Sequence, residues 1–149
     1  MPGPITPQTA TRFSTEAKVW RWARWLPAIL LTLLIFWLSS RPYTTYFAEL
    51  EGPSHRLFQT YLQYPAHLVE YATLALLWMW PLSTYRAHRR HVPWLALGAV
   101  VVTALLDESI QWYVPTRHFA LRDLIIDWTG GVGGMIVFRW IIPAIGQET

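Results

Sequence analysis

Four strongly apolar runs alternate with polar stretches along the chain: Trp25–Leu38, Ala66–Leu82, Val92–Val114 and Leu124–Ile142. With interfacial residues at its ends, each approaches the roughly 20 residues that a helix needs to cross a bilayer. Ser39, Ser40 and Arg41 end the first run, and Pro42 stops it because the residue before a proline is pushed out of the helical region. Residues Met1 to Thr15 are rich in Pro and Thr and carry no hydrophobic period, which predicts a mobile tail. The longest connection is Tyr43 to Gln63, in which Leu57 to Leu62 reads as a short amphipathic helix lying on a membrane surface. A short basic loop, Tyr85 to His91, joins the second and third runs. The pattern predicts an all-α membrane protein with four transmembrane helices over residues 20–143, a flexible tail over 1–19 and a second tail over 144–149.

Composition supports that class. The chain has 149 residues, enough for one domain; 53% are apolar, 14% are charged and ten are Trp, a departure from soluble averages towards membrane proteins. There is no Cys, which excludes a disulfide framework, a thiolate nucleophile and Cys-type zinc sites. Net charge is +3, from eleven Arg and a single Lys against nine acids. These bases are spread over loops and termini, so they read as topology signals and no nucleic-acid partner is expected.

Eight basic residues (Arg12, Lys18, Arg21, Arg24, Arg86, Arg89, Arg90, Arg139) fall on one predicted side and four (Arg41, Arg56, Arg117, Arg122) on the other. The positive-inside rule then places both termini in the cytoplasm. Tryptophan agrees: Trp20, Trp22, Trp25, Trp78, Trp80, Trp94 and Trp140 fall at inner ends, and Trp37, Trp112 and Trp128 at outer ends. A cleaved signal peptide competes for the first run, but the basic region before it is too long and no small-residue cleavage site follows. The expected location is a bacterial cytoplasmic (inner) membrane, crossed several times.

Five of the nine acids (Glu70, Asp107, Glu108, Asp123, Asp127) lie in or beside the apolar runs. Because consecutive spans alternate in direction, Ser39 to Arg41, His67 with Glu70, Asp107 to Gln111, and Asp123 to Asp127 all belong to one membrane face, the outer one in this orientation. The third span has about eight strong apolar residues, contributing roughly −2.5 to −5 kcal/mol to insertion. Two acids at the bilayer centre would cost about +5 to +7 kcal/mol and could cancel that. The acids must therefore sit off-centre, protonate, pair or line a wet cavity. Asp107 lies roughly 10 Å along the helix from Val114, within reach of water but not free in it.

On a helix, residues three and four apart share a face. His67, Glu70 and Tyr71 form one patch; Asp107 with Gln111 forms another, with Glu108 and Gln111 an overlapping alternative. Asp123 and Asp127 lead into Gly130 and Gly134, a small-residue track that lets a neighbouring helix approach closely. Arg117, Arg122, His118, His67 and Arg41 are the available positive partners. A divalent ion held by His67 and Glu70 with Asp107, Glu108 or Asp127 matches no known ligand spacing, so neither metal nor cofactor is expected. A Ser/His/Asp nucleophile system has no motif support, and His88 and His91 read as solvated.

These residues resemble the VanZ-like family of small membrane proteins, whose namesake is associated with teicoplanin (glycopeptide) resistance. The resemblance covers roughly Phe36 to Ile142. It is carried by Ser39-Ser40, by His67, Tyr71 and Leu74, and most specifically by Asp107, Glu108, Gln111, Tyr113-Val114-Pro115, Arg117, Asp123, Gly130 and Gly134. Three departures stand out: Gln63-Tyr64 where the family often has Asp-Lys, Thr116 in place of Gly, and Asp127 in place of Asn. Losing the Lys and gaining the acid Asp127 imply a pocket more acidic than is usual in the family. The resemblance implies a four-helix membrane protein acting at the cell envelope.

The leading expectation is an envelope factor whose outer pocket takes a lipid head group, a lipid-linked wall precursor or a lipoglycopeptide and contributes to teicoplanin-type resistance. Its ligand-binding candidates are His67, Glu70, Asp107, Glu108, Gln111, Arg117, Arg122, Asp123 and Asp127. Arg117 and Arg122 would contact phosphate or carboxylate, with Asp107, Glu108, Gln111 and Asp123 orienting them. The alternative is a membrane enzyme acting on a lipid-linked substrate, with Asp107 or Glu108 as base and His67 as proton relay. A third reading is a structural subunit, with homo-oligomers or a membrane partner meeting at Gly130 and Gly134 of the fourth helix.

Overall fold

In the computed structural model, residues 20–42, 59–85, 90–115 and 117–145 are described. The two predicted tails, apart from residues 144 and 145, therefore lie outside the described residues, as do Leu57, Phe58, His88, Arg86 and Arg89. The described residues form helices and connecting turns and contain no strand. We label the long helices α1 (Leu26–Ser39), α2 (Tyr64–Leu82), α3 (Val92–Tyr113) and α4 (Leu121–Ile145). Where Leu57 to Leu62 suggested an amphipathic helix, Gln59–Gln63 form a π-helical turn that runs directly into α2.

Proline stands at three of the four starts. Pro27, Pro65 and Pro93 occupy the first turns of α1, α2 and α3, where a missing N–H costs nothing and the fixed φ suits the helix. Helix α2 begins two residues earlier than the apolar pattern suggested because the π-helical turn already carries helical backbone into Tyr64. At the other end of α3, Val114 is extended, with φ −90° and ψ 121°, as a residue preceding proline should be. The fourth helix begins at Leu121 and takes Asp123 into its first turn, where a carboxylate meets the positive end of the helix dipole.

The helices alternate in direction. Near the start of α1, Trp25 packs edge-to-face on Trp78 towards the end of α2, with ring centroids 5.8 Å apart. Arg21 stacks over Tyr85 in the same corner. At the opposite end, Arg41 lies over Trp37, 4.8 Å from its ring centroid. Helix α2 packs most extensively on α4, both pack on α3, and α1 lies against α2 and α3. The core runs through Ile35, Tyr71, Leu74, Ala75, Met79, Val92, Ala96, Val100, Ala104 and Leu124.

The outside is apolar. Leu30, Leu33, Val69, Val102, Ile125 and Ile136 are all more than half exposed, while Asp107, Glu108, Gln111 and Asp127 are buried. Two helical stretches, Trp20–Ser39 and Val92–Tyr113, are long and apolar enough to cross a membrane by length and composition. Hydroxyls on the helix surfaces satisfy themselves internally: Thr73, Ser109 and Thr129 each donate to the carbonyl four residues back, at 2.6–2.7 Å. Such bonds remove the need for water along an apolar surface.

Glycine marks where helices touch. A Cβ on Gly130 would strike the Leu68 carbonyl of α2, and one on Gly134 the Ala72 carbonyl. Gly98 and Gly133 would meet nothing within 4 Å. Gly98→Ala and Gly133→Ala are therefore expected to be neutral or to stabilise by up to about 1 kcal/mol, the helix-propensity difference. Thermal unfolding in detergent checks this.

Candidate functional site

The polar residues gather where α1 and α3 end and α2 and α4 begin. His67 Nδ1 lies 2.9 Å from Asp127 Oδ1, joining α2 to α4. A carboxylate only accepts, so Nδ1 carries the hydrogen. The His67 ring also stacks on Tyr71, one turn along α2, with planes 8° apart. On α3, Gln111 Nε2 donates to Asp107 Oδ2 at 2.9 Å, the i, i+4 pairing expected of one helix face. Ser39, buried at the end of α1, lies beside the Asp107 carboxylate.

Glu108 does something different. Its Oε2 accepts the backbone N–H of Ala120 at 2.8 Å, tying the turn that enters α4 back to α3. Of the two α3 pairings open from the sequence, Gln111 therefore takes Asp107 and leaves Glu108 to the connection. Asp107, Glu108 and Asp127 are 1%, 0% and 0% exposed. Each has one oxygen held by a donor, and each has a second oxygen, Asp107 Oδ1, Glu108 Oε1 and Asp127 Oδ2, without a hydrogen-bond partner. Buried oxygens of this kind are costly unless something else satisfies them.

The other expected residues take outlying places. Half-buried Arg117 is within Coulombic reach of Asp107 and Asp123. Glu70 and Asp123 are half-buried and within reach of His67. Arg122 is exposed and points elsewhere, its guanidinium donating to Tyr64 Oη at 3.0 Å and lying 5.7 Å from that ring's centroid. His118 and His91 are exposed, and His91 accepts from Arg90 Nε at 3.0 Å.

Besides Ser39, three participants were not among the sequence candidates. The Ala120 N–H is a backbone group with no sequence signal. Tyr64 drew notice only as a departure from the family pattern. Tyr71, placed on the right patch, proves wholly buried with an unpartnered hydroxyl. Gly130 and Gly134 are engaged by α2 within the chain, so a second copy or a partner would have to approach another face of α4.

Helices with an apolar exterior and a polar cluster at one end define a helical protein suited to an apolar environment. Residues 24–142 match the family model of VanZ/LLP1, and the chain belongs to that family. No curated protein and no solved structure matches it.

Proposed function

We propose that the chain is a multi-pass protein of the bacterial cytoplasmic membrane, with all four helices spanning and both termini in the cytoplasm. Its polar end would face outwards as a recess for an anionic envelope molecule: a lipid head group, a lipid-linked wall precursor or a lipoglycopeptide. The observation that carries this reading is the meeting of Ser39, His67, Asp107 and Asp127, from four separate helices, at one end of an otherwise apolar bundle. Intramembrane ionisable groups are expensive and by default functional. Arg117 is the group for phosphate or carboxylate, with Asp107 and Asp123 positioning it, while Arg122, held by Tyr64, stands at the margin. Lipid extracted from the purified protein and identified by mass should contain one enriched anionic species. Arg117→Ala with Asp123→Ala should remove that enrichment, and any teicoplanin tolerance the chain confers, at unchanged membrane abundance. Bulk lipid composition in both proteins would reject the reading.

The orientation has its own test, made easy by the absence of Cys. His118→Cys should react with an impermeant maleimide on intact cells, and Arg90→Cys only after permeabilisation. The reverse pattern would invert the topology.

The buried carboxylates support a second reading, an enzyme acting on a lipid-linked substrate with Glu108 or Asp107 as base and His67 as relay. Purified protein that leaves lipid-linked wall precursors unchanged, with and without divalent metal, would count against it.

A further inference from the structure

Each of the three buried acids at the polar end has an oxygen that no donor satisfies. Among the described residues, Asp107, Glu108 and Asp127 each offer a carboxylate oxygen within 4.8 Å of the other two. Their donors come from three places: Gln111 holds Asp107, the Ala120 N–H holds Glu108, and His67 holds Asp127. In every case one oxygen is fixed and the other is left without a partner. Outer hydrogen bonds that orient carboxylates in this way are characteristic of metal ligands.

An independent observation comes from Tyr71. Its side chain is 0% exposed, and its hydroxyl has no hydrogen-bond partner. That hydroxyl nevertheless stands within Coulombic reach of Asp107, Asp127, Glu70 and Glu108. A wholly buried phenol that stands among four carboxylates and bonds to none of them has its hydroxyl left for another species.

We propose that the unpartnered oxygens of Asp107, Glu108 and Asp127, with Tyr71 Oη beside them, bind a hard divalent cation of calcium's size. The donors are all oxygen, which selects calcium, magnesium or manganese over softer ions. Three oxygens within 4.8 Å of one another can share a centre no more than about 2.8 Å away, which admits the roughly 2.3–2.6 Å bonds of calcium. A buried, all-protein donor set suits calcium better than magnesium, which gives up its waters reluctantly and demands near-ideal octahedral geometry. His67 is a positioning residue here, acting through Asp127. No ligand spacing in the sequence announced this site, because its carboxylates come from α3 and α4, and Tyr71 from α2, and they are matched only by packing. The inference goes beyond the anionic recess and does not rest on it.

Full-length protein in detergent, stripped of metal with a chelator, is titrated with terbium chloride, whose luminescence nearby Tyr and Trp rings sensitise. The signal should saturate and be displaced by Ca2+ at concentrations at which Mg2+ competes poorly. Asp107→Asn and Glu108→Gln should each weaken binding tenfold or more while keeping the helical circular-dichroism spectrum and elution volume. An unsaturable signal in the unaltered chain, or equal affinity in both variants, would overturn the proposal. Should the variants fail to fold, the unaltered chain decides: saturating Ca2+ should raise its unfolding midpoint by roughly 5 °C, and no rise would overturn it. Neither negative result touches the recess reading, which is judged by the co-purifying lipid.

Discussion

Gly134→Leu is expected to unfold the α2–α4 pair, with a loss of stability larger than for any change on the apolar exterior. Gly130 and Gly134 are one turn apart on α4, and they face Leu68 and Ala72, one turn apart on α2. The obstacle to a side chain at either position is a backbone carbonyl, which cannot rotate aside as a side chain could. Helices in lipid gain little from the hydrophobic effect, so close approach and packing hold them together. Even Gly134→Ala should cost about 1–3 kcal/mol, the usual range for overpacking, and Leu should cost more. Gly131 is a milder case, since an added Cβ meets the Val100 side chain at 2.7 Å. Thermal unfolding in detergent, with Gly98→Leu as a matched control at an open position, checks the prediction. Equal midpoints for Gly134→Leu and Gly98→Leu would mean that α2 and α4 do not touch as described.

His67→Ala is the second large effect. It strips Asp127, whose side chain is 0% exposed, of its 2.9 Å hydrogen bond. Removing one partner of a buried ion pair typically costs about 3–5 kcal/mol, because the remaining charge is left uncompensated. Tyr71 also loses its stacked neighbour. Asn in place of His67 retains an amide donor and should recover part of the loss. If His67→Ala unfolds at the same temperature as the unaltered chain, the pair contributes nothing, and the polar cluster is looser than the geometry requires.

Much of this arrangement was legible in the chain. Apolar run lengths located all four helices, and Pro27 and Pro93 mark starts that hydropathy placed only approximately, while α2 continues a π-helical turn. Alternating span direction was enough to put His67 and Asp127 at the same end as Asp107. Helical spacing paired Gln111 with Asp107 but left Glu108 as an equal alternative, because both lie within a turn of Gln111. Only the path of the chain into α4, which brings the Ala120 N–H to Glu108, separates them. Spacing also put Arg122 with the site, although a single residue's rotation about the helix sends it to Tyr64 instead. The mutual approach of carboxylates from α3 and α4 depends on how the helices pack. That packing rests on glycine contacts whose partner, α2, the sequence does not name.

The central claim is that side chains from separate helices are bonded to one another at a single buried end, and a double-mutant cycle on His67 and Asp127 tests it most directly. Asp127→Asn alone should destabilise the folded protein in detergent, because it weakens a charge-assisted bond. In the His67→Ala background the same change should stabilise it, because it removes a buried carboxylate that has lost its partner. A reversal of sign is the predicted result. If Asp127→Asn has the same effect in both backgrounds, the two residues are not coupled, and the polar end is not the shared cluster described above.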